Sequence, residues 1–151
     1  MGQGTACYNR LKAFNKFMDT NQKGKITELD VLSYVIKKGY SVSIPFGDKD
    51  RYDQIWDING HLYKIQVKTS HYKDDKCMAI KFNCYTSSNK KRIVYTKEQI
   101  DYFCTWWDDK VYLIPIGVCS IEKTLWFELP KQYSNCSLAE DYELGKIIKQ
   151  L

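Results

Sequence analysis

The chain has 151 residues, 44% of them hydrophobic, 27% charged and 15% aromatic, and a formal net charge of +5. That length accommodates one domain with its own core, and the composition is that of an ordinary soluble globular protein rather than a disordered or fibrous chain. The positive balance suits a polyanionic partner without identifying it, and no export signal or long apolar run is visible, so the expectation is a soluble, non-secreted, cytoplasmic protein with no membrane partner.

The six cysteines (Cys7, Cys77, Cys84, Cys104, Cys119, Cys136) include no C-x-x-C pair, and only two histidines accompany them. A zinc site built from closely spaced ligand pairs is thereby excluded, and the cysteines read as reduced thiols.

Residues 1–23 stand apart from a single domain over 24–151. Tyr8, Leu11, Phe14, Phe17 and Met18 recur at helical spacing among Arg10, Lys12 and Lys16, which predicts a short basic amphipathic helix. Such a segment packs on the body or on a second subunit, touches DNA as an arm, or serves as an organelle transit peptide. A second helix is predicted over "KITELDVLSYVIKKGY", with Leu29, Leu32, Val35 and Ile36 as its apolar stripe. Glu28 falls in its first turn, Lys37 and Lys38 in its last, and Gly39 at the position after the cap.

A strand follows at 40–46, then a hairpin over "RYDQIWDINGHLYKIQVKTS". The segment "CMAIKFNCY" alternates, with Met78, Ile80, Phe82 and Cys84 on one face and Lys81, Asn83 and Tyr85 on the other. The stretch 86–92 reads as a basic loop. Thr96 and Gln99 form a capping box that predicts a helix burying Ile100, Phe103 and Cys104. Residues 110–118 are a nearly continuous apolar run and predict a buried strand, which Pro115 leaves incompletely paired on one side. A strand over 123–129 and a helix opened by a Ser137–Glu140 capping box complete the chain. This order predicts an α/β (mixed α+β) fold, a mostly antiparallel or mixed sheet flanked by helices.

Asn59-Gly60 is the strongest short hairpin signal and predicts a two-residue turn that fixes the register. Ile58 then faces His61, and stepping outward places Asp53 across from Gln66, with Cβ atoms roughly 4.5–5.5 Å apart. Lys68 lies two residues on, on the same face. Trp56, Ile58, Tyr63, Ile65 and Val67 make the other face, which reads as core. A half-solvated hairpin needs polar residues on its wet face in any case, so the cluster alone does not establish a site. It gains weight from the basic, aromatic-studded sequence that follows.

The helix with Glu28, the strand with Asp53 and the "QVK" strand together resemble the PD-(D/E)XK nuclease superfamily, over about residues 24–118. Within it, the chain's size and its Q-x-K wording resemble the small bacterial group I intron-encoded homing endonucleases. The resemblance implies a restriction-endonuclease-like core and site-specific cleavage of double-stranded DNA. It also implies catalytic roles for Glu28, Asp53, Gln66 and Lys68. Mg2+ would be held by Asp53, Gln66, the Val67 carbonyl and Glu28, with Mn2+ able to substitute and Ca2+ binding without turnover. Gln66 departs from the family pattern, which has an acid there, and Tyr52 stands where proline is usual.

A long, roughly palindromic target and a homodimer or homotetramer follow from the same resemblance, since one site makes one nick. The DNA-contacting candidates are Lys49, Arg51, Lys73, Lys76, Lys81, Asn83, Tyr85, Lys90, Lys91 and Arg92, with 71–92 expected as a β-ribbon in the major groove. Two alternatives remain open. One is a Holliday junction resolvase or restriction-type endonuclease on the same fold. The other is a catalytically inactive DNA-binding module, for which Gln66 is the argument.

Overall fold

The structure, a computed structural model, describes residues 18–47, 49–73, 76, 78–129 and 135–151. The amphipathic helix expected near the start falls, but for Met18, outside the described residues. In chain order the elements are α1 (Thr20–Lys37), β1 (Ser41–Ser43), β2 (Gln54–Ile58), β3 (His61–Val67), β4 (His71–Tyr72) and β5 (Ala79–Asn83), then β6 (Tyr85–Ser88), β7 (Lys91–Val94), β8 (Tyr102–Trp107), β9 (Lys110–Pro115), β10 (Glu122–Trp126) and α2 (Leu144–Ile148). A five-stranded sheet runs β1-β2-β3-β8-β9, a three-stranded sheet β10-β5-β4, and β6-β7 form a ribbon belonging to neither. In the large sheet β3 and β8 are parallel and the other pairs antiparallel. This is the mixed α+β architecture expected.

The large sheet is covered on both faces, and strand alternation divides its side chains between two cores. On one face α1 and α2 bring Val31, Val35, Leu144 and Ile147 onto Trp56, Ile58, Ile65, Val67, Cys104 and Leu113. On the other, Ile80, Phe82 and Leu125 of the small sheet meet Phe103, Tyr112 and Ile114. Neighbours in β8 and β9 therefore point into different cores, which explains their near-continuous apolar sequence.

Several expectations are corrected. Helix α1 begins at Thr20 with Asp19 as its cap, Asp19 Oδ1 accepting from the Gln22 N–H at 2.8 Å. Glu28 thus lies mid-helix rather than in the first turn. The buried stripe is Thr27, Val31 and Val35; Leu29 and Ile36, expected inside, are 62% and 53% exposed. The C-terminal end is as expected, with Lys37 in the last turn and Gly39 at φ 90°.

No helix follows Thr96. Gln99 Oε1 does accept the Thr96 N–H at 3.2 Å, but only one turn forms. Ile100 ends that turn, and Phe103 and Cys104 are buried on strand β8. The β-branched and aromatic run after Asp101 favours a pleated surface buried on both sides over continuing the helix. Ser137 caps nothing either: a 3-10 turn (Ala139–Tyr142) precedes the short α2, whose N-cap is Glu143. The strand expected over 110–118 stops at Pro115 and continues as a 3-10 turn. Among the described cysteines, Cys84, Cys104, Cys119 and Cys136 are free thiols.

The corrected face of α1 gives a direct test. Val31→Ala should cost about 2 kcal/mol of unfolding free energy and Ile36→Ala less than about 0.5 kcal/mol, read as urea midpoints at constant slope; a larger loss at Ile36 would contradict the packing.

Candidate active site

Asn59 and Gly60 adopt φ 55° and 83°, the left-handed pair that a type I′ turn requires. The register is the one the turn predicts, with Ile58 opposite His61 and Gln54 opposite Ile65. Asp53 lies one residue before β2, and its N–H donates to the Ile65 carbonyl at 2.9 Å. Beyond that point β2 and β3 part. Asp53 Oδ2 accepts the Val67 N–H at 2.8 Å and Gln66 Nε2 at 2.6 Å. Gln66 Nε2 also donates to the Val67 carbonyl at 3.3 Å.

Lys68 extends the pairing with β8, its N–H donating to the Cys104 carbonyl at 2.8 Å. Its ammonium donates to the Tyr85 carbonyl at 3.2 Å and to Tyr95 Oη at 3.1 Å. Helix α1 lies on the opposite face of the sheet and is tied to the strand ends on either side of Glu28. Gln54 Nε2 donates to the Glu28 carbonyl at 3.0 Å, and Gln54 Oε1 accepts from the Trp56 indole N–H at 2.8 Å. The hydroxyls of Thr27 and Thr69 are 3.0 Å apart. Gln54 and Thr69 each follow a polar site residue and, by strand alternation, face the helix.

Burial pushes the Asp53 carboxyl up to about 6 against the Val67 N–H, Lys68 and Gln66, which lower it; the Glu28 charge adds to the rise. Burial also raises Glu28, with Lys25 opposing. Burial lowers the Lys68 ammonium, Asp53 opposing, while Arg51 adds to the fall. Two carboxylates and an ammonium are therefore held in one poorly solvated place, each disfavoured in its charged form.

Asp53, Glu28, Gln66 and the Val67 carbonyl offer hard oxygen donors, the kind that could hold a divalent cation such as Mg2+. The Gln66 amide nitrogen stands between Asp53 Oδ2 and the Val67 carbonyl, where a donor of partial positive charge satisfies both oxygens. Among the described residues no three His, Cys, Asp or Glu side chains cluster as a metal site.

The basic candidates are divided. Lys90, Lys91 and Arg92 are exposed at the turn and outer strand of the β6-β7 ribbon, where Asn89 and Lys90 take φ 49° and 62°. What was expected as a basic loop is thus a hairpin, and 71–92 is not one ribbon: Lys81 and Asn83 lie on β5 in the small sheet, and Tyr85 opens β6. Lys81 is paired with Glu122 at 3.2 Å, and the Lys73 ammonium lies 4.2 Å from the Trp126 ring centre. The Arg92 guanidinium lies 5.0 Å from the Tyr85 ring. Arg51 stacks 4.5 Å from the Tyr95 ring, and its Nε is buried without a partner. Lys49 is exposed in the turn before Asp53 and Lys76 is exposed beyond β4; neither is brought into the cluster. Sequence reasoning missed Tyr95, Gln54, Thr27 and Thr69. Alternation from Asp53 and Lys68 could have found Gln54 and Thr69, but no spacing points to Tyr95.

A sequence profile of the PD-(D/E)XK endonuclease family matches residues 18–144. Among solved structures the chain is similar to a bacterial homing endonuclease, I-Ssp6803I, at a TM-score of 0.70 and 21% identity, over 88% of this chain and 95% of that one. At that identity the likeness is one of fold. No curated protein matches the sequence.

The raised Asp53 pKa has a signed consequence. A carboxyl that holds its proton more tightly folded than unfolded destabilises the fold when ionised, so its cost is present above about pH 6 and disappears as pH falls toward the unfolded value. In chelator at pH 8, Asp53→Asn should be more stable than the parent by on the order of 2 kcal/mol, a thermal shift of several degrees. That gap should narrow as pH drops through 6; thermal melts across pH 4–8 would show whether it does.

Proposed function

This chain belongs to the PD-(D/E)XK endonuclease family, and from that premise we propose that it is a divalent-metal-dependent, site-specific double-strand DNA endonuclease of homing type. The observation that carries the reading is the convergence of Asp53, Gln66, the Val67 carbonyl and Lys68 at one point where two strands part, with Glu28 within electrostatic reach. Likeness to a bacterial homing endonuclease over most of both chains supports the homing type.

Asp53 and Glu28 would hold Mg2+ as anionic ligands, with Gln66 and the Val67 carbonyl as neutral ones. A half-turn of the Gln66 amide exchanges its nitrogen for Oε1 at the same point. The bound ion supplies a Lewis acid for the scissile phosphate and charge for the departing oxygen. Lys68 Nζ orients the attacking water and favours its deprotonation, and as an ammonium it offsets the negative charge that gathers on phosphorus. Arg51, with an unpartnered Nε beside the site, and the Lys90–Arg92 ribbon hold the phosphate backbone and fix the register on DNA. One such site cuts one strand, so a symmetric dimer or tetramer on a long, nearly palindromic target makes the double-strand break.

Gln66 in place of an acid favours a second reading, a binding module that does not cut. The two readings diverge in one experiment. Plasmids carrying randomised inserts are incubated with the protein in Mg2+, and linearised molecules are sequenced; four-way junctions serve as the alternative substrate. The homing reading requires a single enriched long site and no junction cleavage, whereas sequence-specific retention without cutting in Mg2+ or Mn2+ identifies the binding module. On the selected site, Asp53→Asn and Lys68→Ala should each lower the single-turnover rate by about a thousandfold. Gln66→Glu should keep cleavage and reach half its maximal rate at lower Mg2+.

A further inference from the structure

Lysine has three N–H donors. Lys68 gives one to the Tyr85 carbonyl and one to Tyr95 Oη, and makes no ion pair with Asp53 or Glu28. Both acceptors are neutral, and both stand at the root of the β6-β7 ribbon: Tyr85 is the first residue of β6 and Tyr95 the first after β7. The orientation of the ammonium is therefore set by the ribbon rather than by the carboxylates it faces.

Tyr95 is held firmly enough to serve as a reference point. Its ring meets Phe103 edge-on at 5.3 Å and 90°, inside the second core, and carries the Arg51 guanidinium at 4.5 Å. Lying directly after β7, Tyr95 thus links the ribbon through its hydroxyl to Lys68 Nζ. With two donors committed, the third is left for a water or a phosphate oxygen.

We propose that Tyr95 is a positioning residue, coupling the basic ribbon to the catalytic ammonium so that DNA held on the ribbon and the third donor of Lys68 are brought into fixed relation. This rests on the assignment of Lys68 made above. The phenol oxygen contributes by aiming Lys68; it contributes nothing to DNA affinity, because it is consumed inside the protein.

Tyr95→Phe tests this, since it removes the oxygen and keeps the ring that packs on Phe103 and carries Arg51. On the site selected from the randomised plasmids, the single-turnover rate in Mg2+ should fall about tenfold or more. The thermal midpoint should be unchanged, and the dissociation constant for a duplex bearing that site, in Ca2+, should stay within about twofold. An unchanged rate would overturn the proposal, as would a rate and an affinity that fall together, because Tyr95 would then only shape the ribbon. Lys68→Ala is run alongside: if it cuts at the parent rate, the Lys68 assignment fails and takes this proposal with it, whereas an inactive Lys68→Ala beside a fully active Tyr95→Phe refutes the coupling alone.

Discussion

The site depends on one hydrogen bond, from the Val67 N–H to Asp53 Oδ2. The β2-β3 ladder has just ended there, and Val67 has lost its main-chain partner on that side. A buried N–H without an acceptor costs a large part of a hydrogen bond's free energy. Asp53 supplies the acceptor from a residue already outside the ladder, so the strands can part without leaving an orphan. Their separation opens the sheet, and the polar ends of three segments meet in the opening. The turn at Asn59-Gly60 sets this from a distance, because a slip of one residue would send Asp53 and Gln66 to opposite faces.

The same bond forces a compromise in charge. Burial raises Asp53 more than its donors lower it, and Glu28 opposes ionisation further. Lys68 relieves this only in part, through its charge alone, since its donors go to neutral oxygens of the ribbon. The arrangement is poor for stability and good for holding a cation, which would satisfy the oxygens together. The ties of Thr69 and Gln54 to α1 belong to this balance. Without them the helix could turn Glu28 away from a like charge, and they hold its carbonyl and the preceding hydroxyl to the strand ends instead.

What could be read in the sequence was local. Asn59-Gly60 dictates its own backbone and through it the register, so the juxtaposition of Asp53, Gln66 and Lys68 was legible. The apolar stripe of α1 was not, because Leu29 and Ile36 are exposed while the buried face is completed by Thr27, whose hydroxyl finds Thr69 forty-two residues away. Strand β8 was hidden by a genuine capping interaction, Gln99 to Thr96, that starts a turn which the parallel partner β3 then ends. Tyr95 carries no local signal; its partners Lys68, Arg51 and Phe103 converge only when both sheets are in place.

The ribbon shows why such long-range anchoring is needed. A two-stranded hairpin solvated on both faces is marginal by itself, and β7 is exposed along its whole length. Its tip gathers Lys90, Lys91 and Arg92, whose mutual repulsion the phosphates of a bound DNA would neutralise under the proposed function. Its root must supply the rigidity: Cys84, just before β6, donates its N–H to Ile121 at 2.8 Å, and Tyr95, just after β7, is wedged against Phe103. The root of the ribbon, anchored in this way, is also where the Lys68 ammonium is bound. In the proposed enzyme, a root so anchored would keep DNA bound at the tip from displacing the ammonium.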